Sequence, residues 1–166
     1  MNIDDFKVLY EFNSWANART RQAVESLPEE KIYIDMKNSF GSIHGTLVHL
    51  VGAENVWLQR VSGASVGVFI KGEQFPTYES LKTKWSEVEE GWQKYILALS
   101  EEVLPRTLTY KNLKGDEVSD IVWMALQHIV NHSTYHRGQI TTMIRQAGGT
   151  PVGTDLIAFY RQRNKK

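Results

Sequence analysis

The apolar residues of this chain recur at three- and four-residue intervals over four long stretches, the period of an amphipathic helix. The first runs from about Asp4 to Ser26 on Phe6, Leu9, Tyr10, Asn13, Trp15, Ala16 and Val24. Asp4 and Asp5 favour its N-terminus, and Leu27-Pro28 ends it. The second runs from about Ser42 to Ser62 on Ile43, Leu47, Leu50, Val51, Glu54, Trp57, Leu58 and Val61, with Gly63 as its stop. The third begins at Thr77 and continues to about Ser100 through Leu81, Trp85, Val88, Trp92, Tyr95, Ile96 and Leu99. The fourth starts near Ser119 or Asp120, the expected N-cap, and runs to about Gln146, where Gly148-Gly149 and Pro151 stop it. A short helix from about Thr154 to Arg161 closes the chain.

The intervening segments differ in kind. Residues 29–38 are polar, with one short alternating piece from Ile32 to Met36. Residues 63–76 are rich in glycine and end in Pro76, which predicts a long loop. Within 101–118, Thr107, Leu108, Thr109, Tyr110 and Leu113 favour strand and Lys114-Gly115-Asp116 a turn. A small hairpin or an irregular crossover is expected there. The sum is an all-α fold, a four-helix bundle with short extras. The connections 63–76 and 101–118 are long enough to carry crossovers, where a simple up-and-down bundle uses short loops.

Length adds that 166 residues fit a single domain, 1–166. Nineteen basic and nineteen acidic residues cancel, so no electrostatic footprint for nucleic acid or an anionic membrane is expected. The basic tail RQRNKK reads as a frayed, solvated terminus. There is no cysteine, which removes disulfides, thiolate metal sites and cysteine nucleophiles together. The N-terminus MNIDDFKVLY has no signal-peptide pattern, and no stretch approaches the apolar length of a membrane span. A cytoplasmic protein is expected.

The candidate chemistry lies in the fourth helix. Three of the five histidines, His128, His132 and His136, stand at four-residue spacing in QHIVNHSTYHRGQI. That spacing stacks side chains on one helix face. With Ile121, Ala125, Tyr135 or His136, Gln139 and Met143 they follow an inward stripe, so buried imidazoles that need partners are expected. A divalent metal satisfies imidazole lone pairs. Ligands from one helix need a complement from a facing helix; His44, near the start of the second helix, and His49, further in, are the candidates. His44 reads as a surface or cap residue.

The blocks TLVHLVGAENVWLQRVSG, LTYKNLKGDEVS, HIVNHSTYHRGQITTMIRQAGGTP and DLIAFYR, in this order, resemble the DinB family of damage-inducible bacterial proteins. The resemblance covers nearly the whole chain. It implies a four-helix bundle of unusual connectivity and a divalent metal, zinc or nickel first among the options, bound by His49, His132 and His136. It further implies a homodimer. His128 is then the extra histidine: an orienting donor, an acid/base group, a fourth ligand or a structural residue. Asn131 and Gln139 are further candidates for orienting the ligands, and Arg137 is expected in a helix–helix salt bridge.

Three neutral ligands leave an ion near its full charge with a position open, the pattern of a catalytic rather than a closed site. A bound water can then reach a pKa of about 7, and a bound thiol is deprotonated. The resemblance implies a thiol-dependent transferase acting on a small molecule with a low-molecular-weight thiol. A metal-dependent hydrolase and a non-enzymatic, metal-stabilised stress-response or interaction module are the alternatives. HExxH is absent, which argues against a zincin-type peptidase. Glu54, five residues after His49, points away from that ligand. Tyr135 and His128 are the proton-transfer candidates. The five tryptophans fall in helical stripes and read as core.

Overall fold

The computed structural model describes residues 1–165. The chain forms α1 (Ile3–Glu25), α2 (Glu29–Ile32), α3 (Ile43–Val61), α4 (Tyr78–Ala98), β1 (Thr107–Lys111), β2 (Glu117–Ile121), α5 (Val122–Gln146) and α6 (Leu156–Arg163), with one 3-10 turn at Gly72–Gln74. The four long helices are those the periodicity predicts. Their starts have local causes. Asn2, not Asp4 or Asp5, caps α1, accepting from the Asp5 amide while the Asp5 carboxylate accepts from the Asn2 amide. Ser42 caps α3 and Thr77 caps α4.

Side-chain partners fix the helix directions. Tyr10 of α1 donates to the carbonyl of Leu126 near the start of α5, and Arg137, further along α5, reaches Asn13 and Asn17. These two helices therefore run parallel. His49 faces His136 while Trp57 faces His128, so α3 opposes α5. Arg21 pairs with Glu89 and Glu25 with Lys82, so α4 opposes α1. The bundle is up-down-down-up. Helices α1 and α5, α5 and α3, α3 and α4, and α4 and α1 are neighbours; α1 faces α3, and α4 faces α5, across the diagonals.

This layout explains the long connections. Residues 63–76 return the chain along α3 so that α4 starts parallel to it, with Gly67 against Val56 and Ile70 against Gly52. Residues 26–42 and 99–121 each cross a diagonal. The first of these, unexpected from the polar sequence, contains the single turn α2 and buries Ile32.

The second connection contains the expected hairpin, with Thr107 opposite Ile121 and Lys111 opposite Glu117. Ser119 and Asp120, expected to cap α5, instead belong to β2. The Ser119 hydroxyl bonds the Thr109 hydroxyl, and the Asp120 carboxylate accepts from Tyr110. Helix α5 leaves the strand directly, and its first amides donate to the carbonyls of Arg106 and Leu104. The tail is also more ordered than its charge implies. Gln162 accepts from the Trp15 indole, and Arg163 pairs with Glu11 at 3.0 Å, so the frayed-terminus expectation fails for 161–163. Its last residue, Lys166, lies outside the described residues.

One hydrophobic core fills the bundle, with Phe6, Leu47, Trp85, Leu126 and Ile140 fully buried. Trp92 joins Trp85 there; Trp15, Trp57 and Trp123 are only partly covered. No described helix is long and apolar enough to cross a membrane.

The inward stripe of α5 is displaced from the expected one. Buried positions are Val122, Ala125, Leu126, Ile129, Val130, Ser133, His136, Arg137, Ile140, Met143 and Ile144. His128 is exposed and His132 half-buried, so the histidine row lies along the margin of the core, not at its centre. The true stripe includes two polar residues that periodicity passes over, because a partner for them is invisible in the sequence. That partner is Glu54. Its Oε1 accepts from Ser133 at 2.7 Å, Asn13 at 2.9 Å and Asn17 at 3.2 Å. Arg137 Nη1 donates to Asn13 Oδ1 at 2.7 Å and Asn17 Oδ1 at 2.8 Å, and Nη2 to Thr134 at 2.8 Å. All but Thr134 are buried. The expected direct salt bridge of Arg137 is replaced by two asparagines that relay between guanidinium and carboxylate across the α1–α3 diagonal. Burial pulls the Arg137 pKa down to about 10, and the Glu54 charge opposes that fall.

Candidate metal centre

His49 lies in the second turn of α3 and His132 and His136 lie one turn apart on α5, at the margin where the two antiparallel helices meet. The three are brought together: His132 Nε2 is 3.2 Å from His49 Nε2 and 3.1 Å from His136 Nε2. One nitrogen from each lies within 4.8 Å of the others. In a tetrahedral site with bonds of about 2.0–2.1 Å, ligand nitrogens stand roughly 3.3 Å apart. The spacing fits one shared divalent ion.

The protonation of the rings fits as well. Burial, with the neighbouring His136, pushes the His49 pKa down to about 4. Burial, then the charges of His136, His49 and His128, pushes His132 to about 3. Burial lowers His136, partly offset by its hydrogen bond to Gln139. At neutral pH the three rings are uncharged. Gln139 Oε1 sits 2.8 Å from His136 Nδ1, so Nδ1 carries the proton and Nε2 presents its lone pair to the cluster. His132 has no such partner, and its Nδ1 is buried without a hydrogen bond.

Two phenylalanines that sequence reasoning passed over shape the site. The Phe40 ring stacks on His49 at 4.0 Å and meets His136 edge-on at 5.5 Å. Phe69, from the connection after α3, lies 5.9 Å from His49. Two glycines of α3 seat these walls. A Cβ at Gly45 would stand 2.0 Å from the Phe40 carbonyl oxygen, and one at Gly52 3.2 Å from the Phe69 ring. Any side chain at position 45 therefore drives the Phe40 backbone off the helix.

His128 stays outside the cluster. Its ring is 5.8 Å from that of His132 and 5.1 Å from Trp57. Burial lowers its pKa and Asp120 works against that. Tyr135 is 64% exposed; its ring edge touches His136 at 5.1 Å. Asn131 is exposed and lines the cavity between α1 and α5, whereas Gln139 does orient a ring. Glu54 indeed points away from His49, into the core network. His44, expected at the surface, is 7% exposed and packs on Tyr33 at 5.1 Å.

The low pKa values make a prediction for the metal-free protein. The unfolded chain takes up these protons near pH 6.5, the folded chain only near pH 3–4. Stability is therefore complete above about pH 6.5 and falls as pH drops below it, because the unfolded state binds more protons. Thermal melts of chelator-treated protein between pH 7 and 4 should show this fall, and His132→Leu should flatten it. Parallel curves for both proteins would refute the assignment.

Fold and site together define a four-helix bundle of up-down-down-up connectivity with a histidine cluster spanning two of its helices. The model of the DinB family matches residues 1–165. Protein DinB of Bacillus subtilis (strain 168) is 34% identical, over 95% of each chain. This chain belongs to the DinB family. Two solved structures share the fold. A DinB-like protein from Bacillus cereus ATCC 10987 aligns with a TM-score of 0.65 and 19% identity over 92% of this chain and 97% of that one. YfiT from Bacillus subtilis, described as a probable metal-dependent hydrolase with an unusual four-helix bundle topology, aligns at 0.59 and 18% over 88% and 87%.

Proposed function

We propose that His49, His132 and His136 hold one divalent metal ion and that the protein is a metal-dependent enzyme transferring a low-molecular-weight thiol to a small electrophile. The observation that carries this reading is the convergence of three neutral imidazole nitrogens, 3.1 and 3.2 Å apart about His132, at the margin of the core and beside a cavity that His49 lines. A divalent ion there supplies a positive centre that lowers the pKa of a bound thiol or water. The chain holds the rings in place, with Gln139 on His136 and Phe40 on His49. It also keeps them unprotonated at neutral pH.

Transfer is favoured over hydrolysis by the acid residues. No carboxylate belongs to the cluster among the described residues, and Glu54 is engaged by three donors in the core. A bound thiol ionises more readily than a bound water, so its attack depends less on a strong base beside it. In the transfer, a sulfur–carbon bond forms, the bond from carbon to the leaving group breaks, and the thiol proton departs with that group. His128, at the rim beside His132, is the group proposed to pass that proton, with Tyr135 as the other rim candidate. Hydrolysis is the second reading, supported by the description of YfiT.

The test incubates metal-loaded, untagged protein with low-molecular-weight thiols and 1-chloro-2,4-dinitrobenzene or monochlorobimane, and follows free thiol. Expected is catalytic thiol loss that stops with chelator and returns with the ion. Turnover of a generic ester without thiol would instead support hydrolysis. An inert protein whose melting temperature alone follows the metal would support a structural role.

A further inference from the structure

Beside His49 the structure contains a cavity of about 510 Å³. Its walls come from two separate connections and α3: Tyr33 and Phe40 from 26–42, Phe69, Ile70 and Phe75 from 63–76, and Val48 from the helix. Tyr33 is fixed there, its hydroxyl accepting from the Tyr78 amide at 2.8 Å. Phe40 belongs both to this cavity and to the triad, since it stacks on His49 and touches His136. No Asp, Glu, Lys or Arg lines it. A larger cavity of about 760 Å³, between α1, α5 and the segment before α6, contains Arg145 and Asp155 but no histidine.

One polar side chain in the smaller cavity is unexplained by the fold. His44 is 7% exposed, and neither ring nitrogen has a hydrogen-bond partner among the described residues: Nε2 is fully buried, and Nδ1 is the nitrogen open to a ligand. A buried polar nitrogen without a partner costs about 1–3 kcal/mol. In an apolar ligand site such isolated polar groups set orientation and specificity. A neutral imidazole nitrogen can donate to or accept from a hydroxyl or carbonyl, depending on its tautomer.

We propose that this cavity is the acceptor-substrate pocket: it takes a neutral, aromatic or aliphatic molecule with one hydroxyl or carbonyl group that hydrogen-bonds His44, and it rejects anions. The proposal rests on the metal-dependent reading only in placing the reacting end of that molecule at His49; the pocket itself is defined by side chains alone. Phe40 and Phe69 pack its apolar body, and His44 is a specificity residue on the side away from His132 and His136. The thiol partner, whatever its charge, enters from the α5 side, where Tyr135 and His128 are exposed.

The test uses full-length untagged protein, metal-loaded and chelator-treated, titrated at pH 7 with three probes of one size: 2-naphthol, naphthalene and naphthalene-2-sulfonate. Fluorescence or calorimetry reads binding. Expected is that 2-naphthol binds roughly five- to tenfold more tightly than naphthalene, the worth of one hydrogen bond, and that the sulfonate does not compete. His44→Leu should bring 2-naphthol down to naphthalene while leaving naphthalene affinity and metal content unchanged. His44→Gln, which keeps a hydrogen-bonding group, should recover part of the difference. Equal binding of 2-naphthol by wild type and both variants, tight sulfonate binding, or no 2-naphthol binding up to its solubility overturns the pocket. Metal loading is read separately. Preserved 2-naphthol discrimination in a protein that takes up no metal would defeat the proposed function and leave the pocket standing; metal uptake without discrimination would do the reverse.

Discussion

Replacing His132 with alanine should reduce divalent-metal affinity by more than about 100-fold and abolish any metal-dependent activity. Losing a group that only orients a ligand costs 10- to 100-fold, and His132 is the residue from which both other Nε2 atoms stand 3.1–3.2 Å. The effect should be confined to the metal. His132 is half-buried at the core margin, so the variant should fold, and its melting temperature without metal should stay near that of the metal-free wild type. What disappears is the stabilisation by ligand. At a free metal concentration a hundred times Kd, the wild type should gain about 2.7 kcal/mol, and the variant almost none. Titration calorimetry and melts with and without the ion check both parts. His128→Ala should retain metal binding, because its ring lies outside the cluster of three. Equal loss of affinity in the two variants would mean that the row on α5, not the cross-helix triad, is the site.

The second large effect lies in the core. Glu54→Ala should destabilise the fold by about 3–5 kcal/mol, since it strands the buried Arg137 charge and the donors of Asn13, Asn17 and Ser133. Arg137→Ala should cost a similar amount by leaving Glu54 unbalanced. The double replacement Glu54→Ala with Arg137→Ala should cost clearly less than the sum, because removing both charges leaves neither buried without its counter-charge. Urea unfolding of the four proteins gives the cycle. Additive losses would show that the two charges do not sense each other through the asparagines. The network also explains why the triad has a fixed geometry. It joins α1, α3 and α5, and Ser133 and Arg137 are the immediate chain neighbours of His132 and His136. A rotation of α5 that moved the ligands would break hydrogen bonds in the centre of the bundle.

The helices were legible because each buries a stripe wide enough to set the period: Leu81, Trp85, Val88, Trp92 and Ile96 on α4 are buried as the spacing predicts. The phase of α5 was not. Ser133 and Arg137 occupy its most buried positions, and hydrophobic patterning assigns such residues to solvent unless the partner across the bundle is known. The burial of His44 is hidden for a similar reason, since its cover comes from Tyr33, in a polar connection whose short alternating piece does not say which helix it packs on. The start of α5 differs from the sequence expectation because the cap-forming side chains of Ser119 and Asp120 are taken up by the strand pairing. Of the site, the histidines were legible from their spacing and from the resemblance, as was Gln139 one turn beyond His136. Phe40 and Phe69 were not, because their positions depend on connections that pack only where Gly45 and Gly52 leave room.

Elemental analysis of protein purified without a histidine tag decides whether one divalent ion is held between α3 and α5. One ion per chain is expected, zinc or nickel first among the metals, and close to none in either His49→Ala or His132→Ala prepared in parallel. Wild-type protein that stays metal-free after equilibration with micromolar zinc and nickel, or variants that carry as much metal as the wild type, would contradict it.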